Sequence, residues 1–298
     1  MTSTVHRPNA GTARRLAAWL DGHARVRLGL LLAAPMSWLV LVYLGSLALL
    51  FLNALWSRDP FTGLVVRELT ADNFIDIVTN PLYRNVTLRT VAMAVAVTLT
   101  CAVVAFPIAY YMARVASRRV RGMLTVAVLM PLWASYLVKA YTWRQILSND
   151  GVLNWLLEPI GLRGPGLGDS VVGLWLVYVY LWLPYMILPL YAGLERIPTS
   201  LLEASSDLGG RSWMTFRRVI FPLVVPALVA GSIFTFSLTL GDYIAPSLIT
   251  TTQFIGNLIF LNFGVPDLPF AAALSLVPLG IVVLYLLFAR RLGAFEAL

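Results

Sequence analysis

The sequence is short of charge and of most side chains that carry enzyme chemistry. Only 12% of its 298 residues are charged and 59% are hydrophobic. A soluble globular domain carries about twice that charged fraction. The single cysteine, Cys101, lies inside an apolar run, so an internal disulfide is excluded. This composition indicates an integral membrane protein.

Lysine and histidine are nearly absent, which excludes two catalytic motifs. A P-loop ends in a Gly-Lys pair, because the lysine charge meets the nucleotide phosphates. The only lysine, Lys139, follows Val138, so the chain alone cannot be a P-loop ATPase. No histidine lies beyond His23, which excludes an H-E-x-x-H zinc helix. We therefore predict no enzyme activity, no catalytic residues, no cofactor and no metal site.

The net charge of +8 comes from arginines in short segments between apolar runs. In a soluble protein such a charge would suggest a nucleic-acid partner. No basic stripe is interleaved with exposed aromatic residues here, as a single-strand binding surface would require. The arginines are better explained as topology signals in a membrane protein. We predict membrane lipid, and no nucleic acid, around this chain.

Six apolar segments are each long enough to cross a bilayer. They cover approximately residues 28–55, 86–112, 122–147, 171–194, 219–249 and 270–289. A glycine-rich stretch, 161–168, lies in the loop after the third segment, and because it follows no strand we predict no phosphate site there. The segment 250–269 has no Lys or Arg and is expected to be an outer loop.

The distribution of basic residues orients these segments. With the amino terminus inside, the inner segments hold 15 of the 22 basic residues, as the positive-inside rule requires. The predicted fold class is an all-α integral membrane protein with six transmembrane helices and both termini cytoplasmic. We divide it into a tail at 1–27, a six-helix domain at 28–291 and a tail at 292–298. Five or seven helices would place one terminus outside.

Two short helices are predicted outside the spans. Residues 72–78 form a short amphipathic pattern on the outer side, with Asp72 as a possible cap. On the inner side, Ser200 and Glu203 fit a capping box, and Gly209-Gly210 offers the left-handed conformation that ends a helix. A polar helix between two apolar segments is well placed to be held by another protein.

Charged residues inside apolar segments are costly unless they are paired or hydrated, so they are candidates for function. Lys139 and Asp242 are such residues, and Tyr243 lies beside Asp242. A carboxylate next to an aromatic ring could meet a cation by charge and by cation–π contact. A purely structural pairing of Lys139 with Asp242 remains the alternative. We assign the many Trp and Tyr residues of the third and fourth segments to membrane belts and packing.

The inner polar segment resembles the "EAA" loop of the membrane permeases of ABC importers. That motif is Glu-Ala-Ala, three residues, Gly, nine residues, then Ile-x-Leu-Pro. The chain has Glu203-Ala204-Ser205, then Gly209, then Val219-Ile220-Phe221-Pro222, with the spacing kept. Ser205, Val219 and Phe221 depart from the motif. The loop, 195–222, also has the expected place before the penultimate span.

The resemblance extends over nearly the whole chain and is closest to the spermidine/putrescine branch, of the B-subunit type. Asn73-Phe74, Pro131-Leu132-Trp133 and Leu240 to Pro246 carry this narrower resemblance. Permeases for iron, thiosulfate and other solutes share such features, so those solutes stay open. A self-sufficient secondary transporter is a further alternative, but it would need inverted repeats or matching broken helices, and we identify neither. A membrane enzyme is disfavoured.

The resemblance implies a partner set and a mechanism. The chain would sit in the bacterial inner membrane with a second homologous permease, and the pair would form the pathway for a small cationic solute, such as a polyamine. Cytoplasmic ATP-binding subunits would hold the coupling loop, and an extracytoplasmic binding protein would deliver the solute. The implied coupling residues are Ser200, Glu203, Ala204, Ser205, Gly209 and Pro222. Asp242, Tyr243 and Lys139 are the candidate pathway residues.

Overall fold

The fold is described from a computed structural model for residues 23–59, 61–160, 167–264, 267–291 and 293. Most of the predicted amino-terminal tail, most of the glycine-rich stretch and nearly all of the predicted carboxyl-terminal tail lie outside these residues. The chain divides into two units, Met1–Asn53 and Ala54–Leu298.

The described residues of the first unit belong to a membrane-length helix. Helix α1, Ala24–Trp38, continues through a π-helical segment, Leu39–Leu44, into helix α2, Gly45–Ala54. The apolar part, Val26–Ala54, has 29 residues, and at 1.5 Å a residue it is about 44 Å long. That length exceeds the hydrocarbon core of a bilayer, about 30 Å. The first predicted span is therefore present, and its helix begins a few residues before the expected position.

The all-α fold class is confirmed, and the second unit opens with one short antiparallel pairing. Strand β1, Ser57–Arg58, pairs with β2, Val65–Val66, with Ser57 opposite Val66. The Asp59 side chain accepts hydrogen bonds from the backbone N–H groups of Phe61 and Thr62, at 2.7 and 3.0 Å. A carboxylate that bonds the backbone ahead of it is a common device for making a tight turn.

The predicted outer helix is confirmed as α3, Asp72–Thr79, but Asp72 is not its cap. The cap position is Ala71, and Asp72 lies in the first turn, where a negative charge suits the helix dipole. The Asn73 amide donates to the backbone oxygens of Ala54 and Trp56, at 3.0 and 2.7 Å. These two bonds tie α3 to the segment that precedes β1.

Four more long helices of the described chain match predicted spans. They are α4 (Pro81–Tyr110, followed by a π-helical turn at Tyr111–Val115), α8 (Val171–Glu195), α11 (Phe221–Gly241) and α14 (Leu268–Arg291). Helix α11 is entered through a short helix, α10 (Ser212–Thr215), and a π-helical turn, Phe216–Ile220. By length and composition the described residues hold five spans, or six if one bent pair counts as a span.

The bent pair is the third predicted span, which is not one continuous helix. Helix α5, Arg118–Trp133, and helix α6, Tyr136–Leu147, meet at an angle of 95°. Ala134 and Ser135 between them have extended backbone conformations. The ammonium of Lys139 donates to the backbone oxygen of Pro131 at 3.1 Å, so it satisfies one of the carbonyls that the end of α5 leaves without a helical partner.

The fifth span also ends earlier than predicted. Helix α11 stops at Gly241, Asp242 is extended, and a separate helix, α12, runs over Ile244–Ile249. The segment expected to be an outer loop contains helix α13, Ile255–Gly264. The remaining short helix, α7, covers Val152–Leu157, and two 3-10 turns follow it, Glu158–Ile160 and Leu167–Asp169.

The core of the second unit lies where α4, α8 and α11 pack together. The buried face of α4 is a row of residues at helical spacing of four: Met93, Val97, Cys101, Ala105 and Ala109. Small residues also bring α8 close to α11, because a Cβ added at Gly193 would lie 2.4 Å from the Cβ of Ala227. This core supports two regions that contain candidate functional residues. One is the segment after α8, which contains Glu203, and the other is the end of α11, where Asp242 lies.

Candidate functional site

The predicted inner helix is confirmed as α9, Thr199–Asp207, but the capping box is not formed. The cap position is Pro198, which has no side chain able to accept a hydrogen bond, and the helix starts there without side-chain capping. Ser200 is therefore the second helical residue rather than the cap. A capping box needs the Ser at the cap and the Glu three positions later, so Ser200 and Glu203 are two positions out of register.

Gly209 ends α9 as predicted. Its φ of +76° is in the left-handed region, where glycine is favoured. The N–H of Gly210 donates to the oxygen of Ser205, and the N–H of Gly209 donates to that of Ser206, both at 2.9 Å. This pair of bonds is the Schellman arrangement, which satisfies carbonyls at a helix end.

The motif residues of α9 are divided between an exposed face and an anchored one. Ser200, Glu203 and Ala204 are exposed and lie three and four positions apart, so they share one helix face. Glu203 has no hydrogen bond or ion pair with the described part of the chain. Ser205 turns inward, where its hydroxyl lies 2.8 Å from that of Thr215. Pro222 is exposed in the first turn of α11.

Arginines of the preceding inner loop hold the base of this segment, a role that the sequence did not indicate. The guanidinium of Arg114 donates to the backbone oxygens of Leu194 and Ile197, at 2.5 and 2.7 Å. Arg121 donates to the backbone oxygen of Met112 at 3.0 Å and pairs with Glu195 at 3.2 Å. The first and second inner loops are therefore joined at the carboxyl end of α8.

Aromatic rings connect the same segment to α4. The Phe216 ring stacks on Trp213, with centroids 5.3 Å apart, and meets Phe106 edge-on at 5.3 Å. Aromatic pairs at these distances stabilise packing beyond their burial. These contacts join α10 and the π-helical turn after it to α4, a membrane-length helix.

A cavity of about 350 Å³ lies where the third and fifth predicted spans are broken. Its lining comes from the start of α6, the middle of α8 and the break between α11 and α12: Tyr136, Trp182, Ser237, Leu238, Gly241, Asp242, Tyr243 and Ile244. Cavities that bind small molecules are mostly apolar with a few placed polar groups, and this one has that character.

Asp242 is the charged group of this cavity, and hydrogen bonds from its surroundings fix its carboxylate. The Tyr136 hydroxyl donates to it at 2.5 Å, and the backbone N–H groups of Ile244 and Ala245 donate at 3.2 Å each. A carboxylate offers about four lone-pair positions, and the buried Tyr178 hydroxyl also faces this carboxylate, so a further group would meet Asp242 mainly through its charge. The same bonds hold the break between α11 and α12.

The structure brings Asp242 and Tyr243 together at the cavity but leaves Lys139 outside its lining. No ion pair joins Lys139 to Asp242 in the described chain, so the structural pairing considered above is not formed. The Tyr243 ring is 41% exposed and stacks on Phe260 with centroids 4.8 Å apart.

Three residues with polar atoms line the cavity but are not indicated as functional by the sequence. Tyr136, Trp182 and Ser237 belong to residue types that are common in transmembrane helices, so their presence in an apolar segment indicates no more than belts and packing. The rings of Tyr136 and Trp182 are nearly parallel, at 14°, with centroids 6.0 Å apart. The position of Tyr136 directly after the helix break is the one signal that could have indicated its role.

Comparison with known families defines the class of this chain. Residues 105–294 match the family described as "Binding-protein-dependent transport system inner membrane component". The chain belongs to this family, and the matched region contains both the α9 segment and the cavity. It is therefore the transmembrane permease subunit of an ABC importer in the bacterial inner membrane, and not an enzyme itself.

Two relatives in one bacterium show which permeases this chain resembles. The chain is 48% identical to "Inner membrane ABC transporter permease protein YdcU" of Escherichia coli strain K12 over 284 residues, 90% of each chain. It is 32% identical to "Spermidine/putrescine transport system permease protein PotB" of the same strain over 268 residues, 86% of this chain and 94% of that protein. The resemblance to the permease family is confirmed.

Solved structures show the same fold at low identity. A bacterial ABC transporter for import of the acidic polysaccharide alginate has a chain with a TM-score of 0.72 and 17% identity, covering 94% of this chain and 98% of that one. The MetNI methionine transporter gives a TM-score of 0.55 at 14% identity, with 74% and 99% covered. Because those solutes are so different, the fold does not decide the solute.

Proposed function

We propose that this permease forms part of the pathway for a small cationic solute of the polyamine class, and that Asp242 is the charge the solute meets. The observation that carries this proposal is a fixed carboxylate in a cavity with aromatic walls. A charge at membrane depth is costly unless it is paired, and a cation would provide that partner.

The chemistry of the cavity favours a cationic amine over the other solutes of this family. An anion such as thiosulfate would be repelled by Asp242. Iron would need several ligands, and the described chain has no group of three or more His, Cys, Asp or Glu residues able to hold a metal ion. The Tyr243 ring, which lines the cavity and is 41% exposed, can stabilise an ammonium by cation–π contact. The name of the PotB relative, at 32% identity, supports a polyamine.

Replacing Asp242 with Asn tests this proposal. The variant keeps the size of the side chain but removes the charge, and we expect uptake of labelled putrescine or spermidine to fall at least tenfold. Uptake is measured in proteoliposomes with the complete transporter. Asp72→Asn on the exposed first turn of α3 is the matched control and should transport normally. Normal uptake by Asp242→Asn would remove Asp242 from the pathway.

We further propose that α9 docks onto a cytoplasmic ATP-binding subunit. The exposed face with Ser200, Glu203 and Ala204 would meet the ATPase. Ser205 would anchor the helix to the rest of the loop, and Gly209 would end it. A second homologous permease would complete the pathway, and an extracytoplasmic binding protein would deliver the solute. A structural relative is known "in complex with alginate pentasaccharide-bound periplasmic protein", which supports the last partner.

Two substitutions test the docking role. Glu203→Gln removes an unpaired charge from the exposed face, and Gly209→Ala places a Cβ at a left-handed position, at a cost of about 1–2 kcal/mol. We expect both to weaken co-purification of the ATPase and to lower uptake several-fold. Gly122→Ala, where a Cβ meets nothing within 4 Å, is the control. Unchanged assembly and uptake in both variants would contradict the docking role.

A further inference from the structure

The cavity beside Asp242 contains two polar atoms that have no partner in the described chain. The indole nitrogen of Trp182 and the hydroxyl oxygen of Ser237 are both buried and make no hydrogen bond. Both residues line the cavity, and the Trp182 side chain is only 7% exposed. Buried polar groups without partners are rare in native proteins because they destabilise the fold, so two at one cavity require a reason.

The hydrogen-bonding properties of these atoms restrict what can satisfy them. An indole N–H only donates, a serine hydroxyl donates and accepts, and a carboxylate only accepts. An ammonium only donates, so it can serve Asp242 and Ser237 but not Trp182. Trp182 therefore needs a hydrogen-bond acceptor that an amine alone does not provide.

We propose that the solute of this cavity carries a hydrogen-bond acceptor close to its cationic amine, and that Trp182 Nε1 donates to that acceptor. In this arrangement Asp242 binds the amine and the Ser237 hydroxyl bonds either group. The acceptor is a hydroxyl, a carbonyl oxygen or an amine nitrogen that has lost its proton. This inference rests on the proposed cation pathway and narrows its solute class.

The cavity wall holds the donor and the carboxylate in a defined relation. The indole of Trp182 stacks between Tyr136 and Tyr178, with centroids at 6.0 and 6.4 Å. The Tyr136 hydroxyl in turn donates to Asp242. One tyrosine thus positions both groups, so the amine and the acceptor of the solute must suit that spacing.

Binding requires a small change of the wall, because both polar atoms lie behind its surface. A rotation of the Ser237 side chain between its staggered rotamers is inexpensive. A solute that satisfies both atoms favours the rearranged wall over the present one, since it binds that state better. The two atoms thereby couple recognition of the solute to a local rearrangement of the cavity wall.

Three four-carbon amines separate the acceptor requirement from the charge requirement. They are n-butylamine, 4-amino-1-butanol and 1,4-diaminobutane, titrated by calorimetry into the purified complete transporter without its binding protein. A net hydrogen bond corresponds to about three- to tenfold in affinity, so the amino alcohol should bind tighter than n-butylamine by that factor. The diamine should gain affinity as the pH rises, because one nitrogen must lose its proton.

Two variants assign the preference to named atoms. Trp182→Phe keeps an aromatic ring without the N–H, and the preference for the amino alcohol over n-butylamine should fall to about one, since the hydrogen bond is lost. Trp175→Phe, on the same helix but lining a different cavity, should keep the preference.

Ser237→Ala should lower amino-alcohol affinity without lowering the melting temperature, because it removes an unsatisfied hydroxyl. A structural role would lower the melting temperature instead.

The outcomes distinguish this inference from the proposed function. Equal affinity of the wild type for the amino alcohol and n-butylamine overturns the inference and leaves the cation pathway standing. A preference that survives Trp182→Phe does the same. If none of the three amines binds, and Asp242→Asn behaves as the wild type, the cation pathway and the inference fail together.

Discussion

At the scale of single residues, Lys139 shows how a charge inside a membrane helix can serve the backbone. Its ammonium reaches back to the oxygen of Pro131, on the other side of the bend between α5 and α6. Backbone groups at membrane depth must be satisfied within the protein, because water is scarce there. The only lysine of the chain therefore stabilises a break and is separate from the cavity lining.

Replacing Lys139 with Met tests this role. The variant keeps a long side chain but loses the donor, and we expect a loss of stability of about 1 kcal/mol, typical of one net hydrogen bond. The melting temperature of the purified complex should fall, while calorimetric affinity for n-butylamine stays unchanged. Lys139→Arg keeps a donor and is the control. Lost amine affinity at unchanged stability would place Lys139 in the pathway.

The sequence indicates one of the polar cavity residues, Asp242, but not Trp182 or Ser237, and the difference has a physical reason. Asp242 is conspicuous because a carboxylate in an apolar run is costly. Trp182 and Ser237 carry no charge, and both residue types are common in transmembrane helices, so nothing distinguishes them before their neighbours are known. Whether a polar atom has a partner depends on the packing of several helices, which local sequence does not encode.

At the scale of elements, the close approach of α8 and α11 depends on Gly193. A Cβ at this position would lie 2.4 Å from the Cβ of Ala227, which is far inside contact distance, so the two helices would have to separate. Overpacking of this kind typically costs about 1–3 kcal/mol. Because α11 carries Asp242 at its end, a shift there also moves one wall of the cavity.

Gly193→Ala should therefore destabilise the complex and weaken amine binding at the same time. Gly280→Ala is the matched control, since it also lies inside a long helix, α14, but an added Cβ meets nothing within 4 Å. Alanine favours helix over glycine by about 1 kcal/mol, so the control should be as stable as the wild type or more so. Equal melting temperatures for both variants would contradict the close-packing account.

Hydropathy predicts the long elements well and their interruptions badly. A continuous apolar run indicates a span, but the bend at Ala134 and Ser135 has no glycine or proline at its centre. The stop at Gly241 coincides with a glycine and a carboxylate, but the apolar run continues to Ile249, so hydropathy alone does not show it. Helix α13 is apolar but only ten residues long, too short to be recognised as a span. The capping box is not formed because the cap position of α9 is Pro198, two residues before Ser200.

At the scale of the whole molecule, the two predicted inner loops form one connected region. Arg114 joins them through the carbonyls at the end of α8, and Phe216 joins them to α4. The predicted topology placed both loops on the same side from charge alone, and the contacts between them agree with that placement. The cytoplasmic position of the termini stays a prediction.

Arg114→Ala should uncouple ATP hydrolysis from transport. Without the guanidinium the base of α9 is no longer held, so movements of the ATPase reach the transmembrane helices less directly. We expect solute transported per ATP to fall several-fold while the complex still assembles. Arg119→Ala, in the same loop, is the control, since Arg119 has no partner in the described chain. An unchanged transport-to-hydrolysis ratio would contradict this role.

The burial of Cys101 has a practical consequence for measuring these movements. Its side chain is fully covered in the core between α4 and α8, and its thiol contacts the backbone oxygen of Val179 at 3.7 Å. A covered thiol reacts slowly with labelling reagents, which need access to the sulfur. A cysteine introduced at an exposed position such as Trp213 can thus be labelled in the natural background. Fluorescent or spin probes placed there would follow the inner loops during transport.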